Sequence, residues 1–280
     1  MSDNGGRAVG KVALITGAAR GQGRSHAVRL AEEGADIIAI DICTQIDSVP
    51  YPLSTPDDLA ETAALVEAAG RKVVAAVADV RDLDGMRAAV DDAVSRLGRL
   101  DIVSANAGIH SGGIASWQMS DQMWQDLLDV NLTGVWITCK VTAPHLIAGG
   151  GGSIVITSST AGLRPYGAIA HYVSAKPALM GLTKTLAQEL GTHHIRVNAL
   201  NPTQVDTDMI QNPLIYQLFR PDIDHPTKEQ FAAASQAGML LPTPWVDPAD
   251  VSAAVVFLTC DDARFVTGIG LPIDAGVLAR

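Results

Sequence analysis

Short apolar, β-branched runs alternate with longer stretches of helical spacing along the whole chain, and this alternation predicts the architecture. Residues 11–16 (KVALIT) read as a buried strand, followed at once by glycines and then by a helical stretch over 24–33 that ends at Gly34. Residues 36–40 (DIIAI) form a second strand that closes at Asp41. Thr55 as N-cap, Pro56 in the first helical position and Asp58 three residues after the cap predict a clean helix start, with an end near Ala69 before Gly70. A third strand is expected over 72–78, then a helix capped by Asp82 and ending at Gly98, then a fourth strand over 101–105. One long helical segment follows from about Ser120 to Leu146. The glycine run 149–152 breaks it before a fifth strand, 153–157 (SIVIT). A helix over roughly 171–190, a sixth strand over 196–200, a helix started by Asp247 and Pro248, and a seventh strand over 270–274 complete the series.

Strands that alternate with helices imply right-handed βαβ units, and so an α/β fold: a doubly wound parallel sheet of about seven strands with helices on both faces. No repeat and no compositional break divides residues 1–280, so a single domain is expected. Three stretches depart from the pattern. Residues 1–10 are polar and glycine-rich and read as a flexible N-terminus. Residues 42–54 contain Pro50 and Pro52 and show no period, so they form an insert. Residues 209–244 mix Leu214, Tyr216, Leu218, Phe219, Met239 and Leu240 with prolines and charges, which suits a mobile lid over a substrate.

Composition narrows the function. With 48% hydrophobic and 18% charged residues the chain can bury a large core. A net charge of −10 repels phosphate backbones, which argues against nucleic acid as a partner. Cys43, Cys139 and Cys260 lie far apart, and the seven histidines show no ligand spacing, so neither a disulfide framework nor a metal site is expected. No apolar run approaches the ~20 residues of a membrane span, and no secretory h-region is visible; a cytoplasmic protein is the expectation.

Between the first strand and its helix stands TGAARGQG, residues 16–23, with Gly17, Arg20, Gly21, Gln22 and Gly23. A glycine-rich turn lets the backbone approach a pyrophosphate, and the helix N-terminus supplies free N–H groups and partial positive charge. A tight turn is the plain alternative, but strand, glycines, helix, second strand and acidic residue occur here in the order a dinucleotide site requires. Asp41 at the end of the second strand can accept from both adenosine ribose hydroxyls and repels a 2′-phosphate, favouring NAD over NADP. Arg20 dissents, since it could reach such a phosphate. Asp79, before Val80, suits either the adenine amino group or a turn.

Tyr172 and Lys176, four apart in a helical stretch, share a face. A neighbouring ammonium, with an oxidised nicotinamide ring nearby, lowers a tyrosine pKa from about 10 and makes the phenol an acid–base group. Ser159, after the fifth strand, can donate to a substrate oxygen.

The glycine pattern, Asn106-Ala107-Gly108, Asn131, Ser159, Tyr172 and Lys176 together resemble a classical short-chain dehydrogenase/reductase over essentially the whole chain. The resemblance implies a Rossmann-type sheet, often in a homotetramer. It implies Tyr172 as acid/base, Ser159 on the substrate oxygen, and Lys176 on the nicotinamide ribose. Asn131 would hold a relay water, its side chain able to donate and accept. Asn106 would support the central sheet, and Pro202, Val205 and Thr207 would contact the nicotinamide carboxamide. The insert, Asn201-Pro202-Thr203 and the ending VTG…PIDAG (266–276) resemble the mycofactocin-associated dehydrogenases, a subgroup that includes carveol dehydrogenases. That implies tightly held NAD, an external redox acceptor, and a small apolar alcohol or ketone such as a terpenol as partner. The insert would then fold over the adenosine site, or else remain a surface loop. Ala105, Thr203 and Pro177 depart from the usual pattern, and Pro177 predicts a bend in its helix. Trp117, Tyr166 and His110 are candidates for the pocket wall. An NADP-dependent carbonyl reductase and a non-catalytic nicotinamide-binding subunit are the alternative readings.

Overall fold

The computed structural model describes residues 6–280. Seven parallel strands form one sheet in the order β3-β2-β1-β4-β5-β6-β7. They are β1 (Val12–Thr16), β2 (Asp36–Asp41), β3 (Val73–Val77), β4 (Ile102–Ala105), β5 (Gly152–Thr157), β6 (Ile195–Pro202) and β7 (Gly270–Ile273). Ile37, Ile38, Ile154, Ile156 and Val197 are sealed on these strands, which is why their runs read as continuously apolar instead of alternating. Two cores sandwich the sheet. One holds Leu14, Ile38, Val103 and Ile156; the other holds Ala13, Ile37, Ile102 and Val155. Successive strand residues thus feed opposite faces, as the two-residue pleat demands.

The expected helix starts are realised locally. In α2 (Pro56–Ala68) the Thr55 side chain and Asp58 form a reciprocal capping box. In α9 (Pro248–Thr259) Asp247 and Asp250 do the same. Gly34 and Gly98 stand at φ +96° and +87° just past the ends of α1 (Gly21–Glu32) and α3 (Leu83–Leu97). The expected flexible N-terminus falls partly outside the described residues. From Gly6 onward the stretch is docked, with Ala8 buried and its N–H donating to Glu33 O at 2.8 Å.

Two elements differ from the expectation. The long segment after β4 is not one regular helix: α4 (Asp121–Leu128) passes through a π-helical turn, Asp129–Thr133, into α5 (Gly134–Ala148). Such wide turns recur at functional positions, and this one carries Asn131. Helix α6 (Ala170–Leu190) runs through Pro177 without interruption, and the Ser158 hydroxyl donates to Lys176 O at 3.0 Å beside it.

The direction of strand addition reverses between β1 and β4. In open α/β sheets the crevice at this switch point, at the carboxyl ends of the strands, receives the ligand. The glycine turn after β1 and Asn106-Ala107-Gly108 after β4 are its two walls.

Candidate active site

The glycine turn is closed against β4 by Asn106. Its N–H donates to Thr16 Oγ1 (3.1 Å), its Nδ2 to Thr16 O (3.0 Å), and its Oδ1 accepts from Thr157 Oγ1 (3.3 Å), so one side chain staples β1, β4 and β5. Ala107 N adds a bond to Thr16 Oγ1 at 3.2 Å. A Cβ on Gly17 would stand 2.9 Å from Ala107 Cα, and one on Gly23 would strike Gly17 O, so this close approach requires glycine at both positions. Gln22 Oε1 is buried without a partner and Gln22 lines the central cavity, where a ligand N–H would satisfy it. The turn therefore fits a dinucleotide.

Asp41 is more committed than the sequence suggests. Its Oδ2 accepts from Ala19 N at 2.9 Å, while Oδ1 accepts from Ser54 Oγ at 2.5 Å and Cys43 N at 3.2 Å. Oδ1 is filled, so only Oδ2 keeps a free lone pair for a ribose hydroxyl; the expected pair of ribose bonds is reduced to one. Arg20 is committed too, donating to Pro52 O at 2.5 Å and to Asp208 Oδ2 at 3.1 Å. The Asp79 carboxylate is held by Arg81 at 2.7–3.1 Å and accepts from Arg81 N, which is the turn role. Val80 next to it packs under Gly134.

Residues 42–54 have no regular structure, but they are not a surface loop. Ile46, Val49 and Tyr51 are buried in the core. Gln45 Nε2 donates to the carbonyls of Ile46, Val49 and Tyr51, and Ser48 Oγ donates to Asp126 Oδ2 at 2.7 Å. The Tyr51 hydroxyl accepts from His110 N at 3.2 Å, which carries the insert to the wall of the central cavity.

Ser159, Tyr172 and Lys176 line that one cavity, of about 500 Å³, together with Asn131, Asn106, Gly108 and Gln22. Lys176 is buried, its Nζ donating to Thr157 O at 2.8 Å and standing 5.4 Å over the Tyr172 ring. Burial pushes the Lys176 ammonium down to about 7. It also pushes the Tyr172 phenol up, an effect the Ser159 hydroxyl opposes. The expectation that Lys176, with an oxidised nicotinamide ring nearby, makes Tyr172 acidic meets an opposing effect: in the protein's own surroundings desolvation dominates both groups. Asn131 has its Oδ1 accepting from Ile109 N (2.8 Å) and its Nδ2 donating to Ile109 O (2.9 Å). The amide assigned to a relay water is thus turned to the loop after β4, which it fixes beside Gly108.

One neighbour of Tyr172 escaped the sequence reading. His171 Nδ1 accepts the Tyr172 N–H at 2.9 Å, so its proton is on Nε2, which lies 2.5 Å from Ser111 Oγ. His171 thereby ties the catalytic helix to the loop after β4. The His110 ring stands 5.0 Å from the Tyr172 ring. Only the adjacency of His171 to Tyr172 could have signalled this; the partners lie some sixty residues away in sequence.

Pro202, Thr203, Val205 and Thr207 form the opposite wall. Val205 is fixed by a bridge to Val246, and Thr207 O accepts from Ile210 N and Gln211 N to start the lid. The lid is more ordered than expected. It contains α7 (Pro213–Phe219), capped by Asn212, and α8 (Lys228–Ala237), opened by a Thr227–Gln230 capping box. Tyr216, Phe219 and Trp245 pack around the fully buried Phe231, with centroids 5.0–5.6 Å apart. Met209, Ile210, Ile215, Leu218 and Phe219 turn to the cavity. Leu214 and Leu240 are exposed and Tyr216 serves the aromatic cluster. Tyr166 and His110 do line the cavity, whereas Trp117 points away, 87% exposed.

The sheet, the crevice and this constellation define a nicotinamide-dependent dehydrogenase site, and the comparisons agree. The family model described as short chain dehydrogenase matches residues 11–214, and the chain belongs to that family. It is 55% identical over 275 residues to the (-)-trans-carveol dehydrogenase of Rhodococcus erythropolis, covering 98% of this chain and 99% of that protein. The structure of a carveol dehydrogenase from Mycobacterium avium in complex with NAD superposes with a TM-score of 0.96 at 55% identity, covering 98% and 100% of the two chains. A short chain dehydrogenase from Mycobacterium paratuberculosis bound to NAD superposes at 0.90 with 44% identity, covering 98% and 100%. No described helix is long and apolar enough to cross a membrane.

Proposed function

We propose that the chain is an NAD-dependent alcohol dehydrogenase that interconverts an apolar secondary alcohol, such as a terpenol, and its ketone, with Tyr172 as acid/base. The observation that carries this reading is the convergence of Ser159, Tyr172 and Lys176 on the same cavity as Gln22, Asn106 and Thr207. The carbinol oxygen binds between the Ser159 and Tyr172 hydroxyls, and Tyr172 takes its proton on oxidation or returns it on reduction. NAD, when bound, accepts the carbinol hydrogen as hydride. Lys176 holds the nicotinamide ribose and, when charged, favours tyrosinate. Pro202, Val205 and Thr207 contact the nicotinamide carboxamide, and Gly17, Gly21, Gln22 and Gly23 hold the pyrophosphate. Asn131, through the loop it fixes, keeps the proton path in register. Ile169, Ile215 and Leu218 make an apolar wall and exclude water, which suits a hydrocarbon-rich alcohol better than a sugar.

The cofactor is NAD and it is held tightly. Asp41 at the end of β2 opposes a 2′-phosphate by its charge, and Arg20, which could have met that phosphate, is spent on Pro52 and Asp208. Those same two bonds join the insert to Asp208, the residue before the lid, which supports the insert as a strap over the cofactor. Tight retention makes an external electron acceptor necessary for turnover and fits the mycofactocin-associated subgroup. A cytoplasmic homotetramer, which the family resemblance implies, is part of the same reading.

Denaturing the purified protein and identifying released nucleotide by mass spectrometry tests the cofactor directly. The expected result is near-stoichiometric NAD. After exchange, NADH is expected to bind on the order of 100-fold tighter than NADPH, as a like-charge contact of several kcal/mol requires. Bound NADP would overturn the role given to Asp41 and favour the carbonyl reductase reading.

A further inference from the structure

The acid–base chemistry leaves His110, a polar group of the cavity wall, without a role. His110 is nearly buried, 8% exposed, and lines the cavity beside Tyr172. Its tautomer is fixed by its surroundings. Gly112 N–H, which can only donate, bonds to Nδ1 at 3.0 Å, so the ring proton sits on Nε2. No described residue accepts from Nε2, and this nitrogen is not among the sealed polar atoms, so it remains open to the cavity. The ring is also held in place. The Tyr51 hydroxyl grips the backbone N–H of the same residue, and the Ser111–His171 bond anchors the next one. Burial drives the imidazole down to about 4, so the group is a neutral donor throughout the working range of such an enzyme.

A neutral N–H held in one orientation on a cavity wall is a ready donor for an acceptor atom of a bound ligand. Two possible acceptors are already excluded. The reacting oxygen is served by Ser159 and Tyr172, and the side chains of the wall residues Ile169, Ile215 and Leu218 offer no acceptor. A ring separation of 5.0 Å between His110 and Tyr172 is short enough for one small molecule to touch both.

We propose that His110 is a substrate-binding residue, and that the alcohol taken by this site carries a second, uncharged acceptor oxygen beside its carbinol, to which Nε2–H donates. A vicinal hydroxyl or keto oxygen on an otherwise apolar ring meets this description. The proposal deepens the alcohol dehydrogenase reading and rests on it. A site built to hydrogen-bond a substrate oxygen rejects the analogue lacking it far more strongly than an apolar pocket rejects a missing methylene.

The test compares trans-cyclohexane-1,2-diol with cyclohexanol in the wild type, His110→Phe and His110→Gln, each with its NAD and an artificial electron acceptor. The wild type is expected to favour the diol at least ~10-fold in kcat/KM. In His110→Phe that ratio falls at least ~10-fold, and in His110→Gln, whose amide can still donate, part of it returns. A wild type that favours cyclohexanol, or a ratio unchanged in both variants, overturns the proposal while leaving the alcohol dehydrogenase reading intact. A wild type that oxidises no secondary alcohol and reduces no ketone refutes that reading, and this proposal with it.

Discussion

Replacing Tyr172 with phenylalanine lowers kcat by about 10²–10⁴-fold, the usual worth of a positioned acid–base group, with little change in nucleotide affinity or stability. The expectation follows from what the substitution keeps. The phenyl ring preserves the contact with His110, 5.0 Å between centroids, and the position under Lys176 Nζ at 5.4 Å. The His171 bond is to the backbone N–H of residue 172 and survives any side-chain change there. Only the hydroxyl is lost, and with it the one group beside Ser159 that can both take and return a proton. Steady-state kinetics with a fluorescence titration of NADH separates the two effects. A variant that retains activity within tenfold would remove Tyr172 from the chemistry.

Lys176→Met is expected to do two things at once: to cut kcat by at least ~100-fold and to stabilise the nucleotide-free protein. The second effect follows from the burial of the ammonium. Its pKa is brought from 10.5 to about 7, so between these values the folded chain binds fewer protons at this site than the unfolded chain. Stability contributed by this residue therefore rises with pH between about 7 and 10.5, and its cost is fullest at and below about 7. Methionine has a similar length and no charge, so its advantage is largest near neutral pH and fades towards 10.5. At about 1 kcal/mol for each 2–4 °C, a gain of several degrees in Tm is expected at pH 7. Thermal melts of both proteins across that pH range check the sign. A variant less stable than the wild type at every pH would show that the Nζ bond to Thr157 O outweighs the desolvation.

The positions legible in the sequence are those fixed by local rules. Buried strands gave apolar runs, and Thr55-Pro56 with Asp58 and Asp247-Pro248 announced helix starts through side chains a few residues apart. The glycine turn, Ser159, Tyr172 and Lys176 were readable because a crevice and a helix face impose fixed spacing, and the fold brings Gln22 of the turn to one cavity with the other three. What stayed hidden depends on distant partners. The insert has no period because its order comes from Asp41, Asp126 and His110, reached by Ser54, Ser48 and Tyr51. The π turn at Asn131 changes the winding of the backbone without changing the apolar pattern of the helix around it. The commitments of Asp41 and Arg20 became visible only once 42–54 and 208 were placed beside them. The lid is a different case. Asn212-Pro213 and Thr227 with Gln230 are ordinary capping signals, and the prolines and charges around them masked two helices that were there to be read.

The central claim is that the alcohol's carbinol hydrogen passes to NAD in this cavity while its hydroxyl proton passes to Tyr172. The most direct measurement is one turnover of the NAD-loaded enzyme with a secondary alcohol deuterated at the carbinol carbon, followed by mass spectrometry of the released nucleotide and of the product. The account predicts NADH carrying the deuterium and an unlabelled ketone. Deuterium kept in the organic product or lost to water, with the nucleotide unlabelled, would contradict it.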